Sequence, residues 1–130
     1  MIDFSIITIS FNQGKYLERC ITSIVNQQGV KFEYIVVDPG STDNSREIIA
    51  AHAHQIKSVV KKKDNGPADG LNNGIKQATG QYLIYINADD FLLPGALRKI
   101  ASILKTKSYP DILFCGGWLV DDQDKPLRRL

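Results

Sequence analysis

The chain has 130 residues, enough for one domain that buries a core unaided, and 43% are hydrophobic against 23% charged, the balance of an ordinary globular protein. A formal charge of +2 is too small to point to nucleic acid, and the two cysteines, Cys20 and Cys115, lack the spacing of a disulfide framework or a zinc site. Both are expected as reduced core thiols. No basic leader opens the chain and no apolar run approaches the ~20 residues of a membrane helix, so a cytoplasmic domain is expected, with membrane contact only through segments outside these residues.

In chain order, Phe4 to Ser10 is short and rich in β-branched residues, which predicts a first buried strand ending in Ser10-Phe11-Asn12. From Gly14 the period changes. Tyr16, Leu17, Cys20, Ile21, Ile24 and Val25 fall on one face of a helix, and Gly29 is placed to stop it. Phe32 to Asp38 is a second strand with a carboxylate at its C-terminal end. After Pro39-Gly40, Thr42 or Asn44 can cap a helix in which Glu47 completes an Asn-x-x-Glu capping box, with Ile48, Ile49 and Ala53 as apolar positions. His52 and His54, two residues apart on that helix, do not share a face, which argues against a common metal site.

Ile56 to Val60 reads as a third strand, and Lys61-Lys62-Lys63 as its solvated end, with no support for a phosphate role. Asp64-Asn65-Gly66 is a turn, and Pro67 opens a helix carrying Ala68, Leu71, Ile75 and Ala78 and ending at Gly80. Gly70 and Gly74, one turn apart, fit either close helix-on-sheet packing or the approach of a ligand; both readings stay open.

Tyr82 to Asp90 is the stretch around which the rest is organised. Its apolar start predicts a strand buried on both faces, and it delivers Asn87, Asp89 and Asp90 to its own C-terminal edge. Two ionised carboxylates about 4 Å apart repel by up to ~4 kcal/mol at an effective dielectric near 20, so the pair wants a cation or a proton. Oxygen ligands of this kind suit Mg²⁺ or Mn²⁺. The alternative is a solvated turn in which Asp90 approaches the N-terminus of a helix starting at Pro94. That helix buries Leu97, Ile100, Ala101 and Leu104. Asp111 to Cys115 reads as a further strand, extending toward Val120 past Gly116-Gly117, and Asp121 to Leu130 has no period.

Four alternations of strand and helix predict an α/β domain, a mostly parallel central sheet with helices on both faces. Ligands of such sheets bind outside the C-terminal strand ends, which gathers Ser10, Phe11, Asn12, Asp38, Asp89 and Asp90 at one rim, with Asp64, Asp69 and Asn72 in reach from the next connection.

Ile-Thr-Ile-Ser-Phe-Asn, Ile-Val-Val-Asp-Pro-Gly-Ser-Thr-Asp-Asn-Ser, Asp-Asn-Gly-x-x-Asp-x-Leu-Asn-x-Gly-Ile and Ala-Thr-Gly-Gln-Tyr-Leu-Ile-Tyr-Ile-Asn-Ala-Asp-Asp together resemble the successive motifs of family 2 glycosyltransferases with the Rossmann-like, three-layer GT-A fold. The resemblance covers almost the whole chain. It implies a nucleotide-diphospho-sugar donor, UDP-sugar favoured, held through Mn²⁺ or Mg²⁺, and transfer of a hexosyl group with inversion to a saccharide or lipid-linked acceptor hydroxyl. By match, Asp90 coordinates the cation, Asp89 reaches the ribose or the cation, Phe11 stacks on the base, Asp38 ends the second strand, and Asp69 and Asn72 lie in the segment closing over the nucleotide.

One position departs from the pattern. Many members carry a second Asp after the one matched by Asp38, bonded to uracil; here it is Pro39, with neither a side-chain acceptor nor an N–H. None of Asp121, Asp122 and Asp124 matches the motif that carries the general base, which is expected beyond Leu130. Residues 1–130 are accordingly expected as a single donor-binding portion that transfers poorly alone and self-associates through exposed apolar surface. The alternative is a non-catalytic nucleotide-binding module of the same fold. A receiver or flavodoxin-like domain fits less well, because the third strand ends in lysines.

Overall fold

The computed structural model describes residues 3–130. In chain order the elements are β1 (Asp3–Ile9), α1 (Gly14–Val25), β2 (Lys31–Val37), α2 (Ser45–Ala51), β3 (Ser58–Val60), α3 (Pro67–Ile75), β4 (Tyr82–Asn87), α4 (Ala96–Thr106), β5 (Trp118–Val120) and β6 (Pro126–Arg129). The first four strands form one sheet in the order β3-β2-β1-β4, every neighbouring pair parallel. The β-branched runs of β1 and β2 pair along their full length, from Asp3 opposite Lys31 to Ile9 opposite Val37.

Side chains alternate across this sheet. Phe4, Ile6, Tyr34 and Val36 face a core shared with Leu17, Cys20, Ile21 and Ile24 of α1, Ile49 of α2, and Leu97 and Leu104 of α4. Ile7, Ile35 and Val37 face the other way, onto Leu71 and Ala78 in and just after α3. Helices thus cover both faces of a parallel sheet, as the alternation predicts. Gly74 makes the second layer possible: a Cβ there would lie 2.7 Å from Ile7 Cγ2 and 2.9 Å from Val37 Cγ2, so this glycine serves close packing.

A carboxylate ties the N-terminal ends of the strands. Glu33 accepts from Ser5 Oγ at 2.5 Å, Thr79 N at 2.6 Å and Thr79 Oγ1 at 2.8 Å, and pairs with Lys57. Partial burial opposes its charge, but bonds from Lys57, Ser5 and Thr79 prevail and bring its pKa down to about 2.

Several expectations are corrected. β4 is a sheet edge, and only Tyr82, Ile84 and Ile86 face the core; Leu83 (51% exposed) and Tyr85 (43%) lie on a face that, among the described residues, no helix covers. Asp111–Cys115 forms no strand. Ser108 and Tyr109, both at φ 58°, turn the chain away after α4, and Phe114 is 90% exposed. The run does not pair with the open edge of β4, and an apolar stretch outside a ladder is no strand. Cys115 is therefore exposed, and only Cys20 is a core thiol. The residues after Asp121 are not periodless: Pro126–Arg129 pairs antiparallel with Trp118–Val120.

At α2 Asn44 makes no side-chain capping bond, so the Asn44–Glu47 box does not form; Asp43 Oδ1 accepts from Ser45 N at 3.0 Å, and Ala53 lies beyond the helix, exposed. Helix α4 starts at Ala96 with Gly95 at φ 75° as its N-cap, so Pro94 precedes it and Asp90 is no cap. Among the described residues no helix is long and apolar enough to cross a membrane.

Candidate active site

The C-terminal ends of the parallel strands open into one cleft of about 630 Å³. Ile9, Ser10 and Phe11 reach it from β1, Val37, Pro39 and Gly40 from β2, Lys63, Asp64 and Gly66 from the connection after β3, and Asn87 from β4.

The β1 and β2 sides are cross-braced. Asn12 sits at φ 54°, a left-handed backbone that asparagine tolerates, and this turns its amide toward the neighbouring loop. Its N–H donates to Ser41 Oγ at 2.9 Å, and its Oδ1 accepts from Thr42 N at 2.8 Å. Asp43 adds a second brace, accepting from Gly14 N at 2.8 Å. Bonds from Ser45, then Gly14, hold the Asp43 carboxyl below its ordinary range. Asn12, a candidate ligand contact in the sequence, is in the structure a loop brace.

Two buried polar atoms at this rim have no partner among the described residues. Asp38 is 3% exposed; its Oδ1 accepts from Gly40 N at 3.0 Å and Ser41 N at 2.7 Å, while its Oδ2 is unpaired. Ser10 Oγ is likewise unpaired. Buried acceptors and hydroxyls left open cost stability unless something polar completes them. Phe11, by contrast, is 59% exposed, a ring presented to solvent at the cleft wall rather than packed beside α1.

The connection after β3 forms the opposite wall. Asp64 Oδ1 accepts from Gly66 N at 3.1 Å, and a Cβ at Gly70 would lie 2.6 Å from Asp64 Oδ2, so Gly70 leaves room for this carboxylate, whereas Gly74 serves packing. Asp69 turns back on its own loop and accepts from Asn65 N at 3.0 Å; Asn72 is exposed. Neither lines the cleft.

At the β4 end, Asp90 N donates to Asn87 O at 3.0 Å, which bends the chain so that Asp89 and Asp90 are exposed just past the residue lining the cleft. Burial, then the charge of Asp89, raises the Asp90 carboxyl above its ordinary range; bonding to Asn87 and the Arg19 charge oppose this. The phenol of Tyr85, which bonds Asn87 Oδ1, is raised by burial and by the charges of Asp89 and Asp90. Among the described residues no three His, Cys, Asp or Glu side chains converge.

The model of the family described as glycosyl transferase family 2 matches residues 5–129. The chain belongs to this family. It is 30% identical over 123 residues to the glycosyltransferase GlyG of Streptococcus pneumoniae, covering 92% of this chain and 40% of GlyG. The crystal structure of residues 1–349 of Staphylococcus aureus TarS, in complex with UDP-GlcNAc, superposes with a TM-score of 0.72 at 25% identity, over 81% of this chain and 32% of that one. A mannosyltransferase of Pyrobaculum calidifontis, solved with GDP-Man and Mn²⁺, shares the fold at a TM-score of 0.70 and 24% identity, over 78% of this chain and 32% of that one. The sheet and its helices are thus those of the GT-A fold. The chain spans about two fifths of the length of GlyG.

Gln13 and Lys63 line the cleft without having been singled out as site residues. For Lys63 a signal existed: the lysine run follows β3 directly, and so occupies a C-terminal strand end like the other clusters. Gln13 carried none.

Proposed function

We propose that this chain forms the donor site of a glycosyltransferase, with a nucleoside diphosphate in the strand-end cleft and a divalent cation on Asp89 and Asp90. The observation that carries the reading is the cleft at the C-terminal strand ends, lined from β1, β2, β4 and the connection after β3, whose β4 residue Asn87 stands two positions before Asp89. The UDP-GlcNAc complex of TarS and the GDP-Man and Mn²⁺ complex of the mannosyltransferase support it.

Phe11 offers a ring for the base, and Asp38 Oδ2 and Ser10 Oγ offer open polar groups to the nucleoside. Asp64, Asp69 and Asn72 belong to the connection and helix beside it. A bound cation would neutralise the charge growing on the departing diphosphate. Hexosyl transfer with inversion is part of the same proposal. Its general base is not assigned to Asp121, which accepts from Gln123 N and Lys125 N at 2.9 Å each, nor to Asp124, which pairs with Arg19.

Calorimetric titration of UDP with and without Mn²⁺ tests the reading. Binding should require Mn²⁺ and weaken at least ~10-fold in Asp90→Ala; undiminished binding in that variant sinks it. GDP and TDP in the same cell show which base tolerates Pro39. A chain that binds donor but transfers to no acceptor, in any longer form, would be the non-catalytic module instead.

A further inference from the structure

Between β4 and α4 the segment carrying Asp89 and Asp90 has little backbone bonding of its own, and α1 supplies what is missing. Arg19, Ser23 and Gln27 recur every four residues along that helix and its C-terminal extension. Arg19 Nη2 donates to Asp89 O at 3.2 Å, and its guanidinium lies 4.5 Å from the Phe91 ring centroid. Ser23 Oγ donates to Cys20 O at 2.8 Å and accepts from Leu92 N at 3.0 Å. Gln27, buried, donates to Leu93 O at 3.0 Å and accepts from Leu97 N at 3.2 Å. Cys20 Sγ adds a bond to Asn87 O at 3.4 Å, the carbonyl that also receives Asp90 N–H. One helix face thus grips the chain at Asn87, Asp89, Leu92, Leu93 and Leu97, on either side of the carboxylates.

We propose that Arg19, Ser23 and Gln27 are positioning residues, a ladder on α1 that fixes the Asp89–Asp90 turn for a divalent cation. The proposal rests on the cation reading above. A preformed turn spares the cation the ordering of an exposed loop, so the rungs act on metal affinity through backbone they hold and never touch the metal.

Ser23→Ala and Gln27→Ala test this, with Mn²⁺ titrated at saturating UDP and bound metal read by electron paramagnetic resonance. The Mn²⁺ midpoint should rise about tenfold in each, and Ser23→Thr, which keeps the hydroxyl, should restore it. Amide exchange at Leu92 should quicken in Ser23→Ala, and at Leu97 in Gln27→Ala, ahead of the rest of the chain. If Gln27→Ala does not fold, Ser23→Ala carries the test. An unchanged Mn²⁺ midpoint in the rung variants, beside a large loss in Asp90→Ala, overturns the ladder alone. An unchanged midpoint in Asp90→Ala overturns the cation reading and the ladder with it.

Discussion

β2 and β4 flank the same central strand in the same parallel sense, yet Tyr34 to Val37 of β2 are buried without interruption whereas β4 is half-buried at alternate residues and exposed at the others. The two segments are similarly apolar. What separates them is α3, which covers Ile7, Ile35 and Val37 and stops short of Leu83 and Tyr85. Burial on the second face is set by the covering helix, not by the composition of the strand.

The sharpest way to break this comparison is to truncate both strands. Ile35→Ala removes a fully buried side chain and should cost ~2–5 kcal/mol in urea denaturation, against ~0.5 kcal/mol or less for Leu83→Ala on the open face. Equal losses would mean that β4 is covered after all. Gly74→Ala attacks the covering helix instead. Alanine favours helix, but its Cβ would collide with Ile7 and Val37, so a net loss of ~1–3 kcal/mol is expected; stabilisation would show that α3 is not pressed onto the sheet.

The smallest effect concerns Glu33, which links β2 to the segments entering β3 and β4. Its folded pKa is depressed from 4.5 to about 2, so its contribution is complete above pH 4.5 and lost as pH falls through 2. About 1–2 kcal/mol is expected after solvent screening. Acid titration of stability in Glu33→Gln should lack this component, and an identical pH profile would remove Glu33 from the account.

Most of the sheet was legible in the sequence because runs such as Ile6 to Ile9 and stripes such as Leu17, Cys20, Ile21 and Ile24 carry their own period. Asp111–Cys115 misled because an apolar run does not reveal whether the chain brings it into register with a partner edge. At the site, Ser10, Phe11 and Asp64 lie on the cleft as their place after strands suggests. Asn12 braces a loop, and Asp69 folds back on Asn65, because short polar side chains satisfy nearby backbone as readily as a ligand. The α1 ladder was hidden altogether. Ser23 and Gln27 are unremarkable residues beside an apolar stripe until Leu92 and Leu97 arrive from ~70 positions away.

That last separation has a kinetic meaning. The Asn12 and Asp43 braces join residues 29 or 30 apart, and the α1 ladder joins residues 66 to 70 apart. Closing the longer loop costs about 0.8 kcal/mol more chain entropy. The β1–β2 wall should therefore assemble first during folding, and the lip bearing Asp89 and Asp90 last. The same order, run backwards, predicts that amides of this lip exchange before those of the β1–β2 wall.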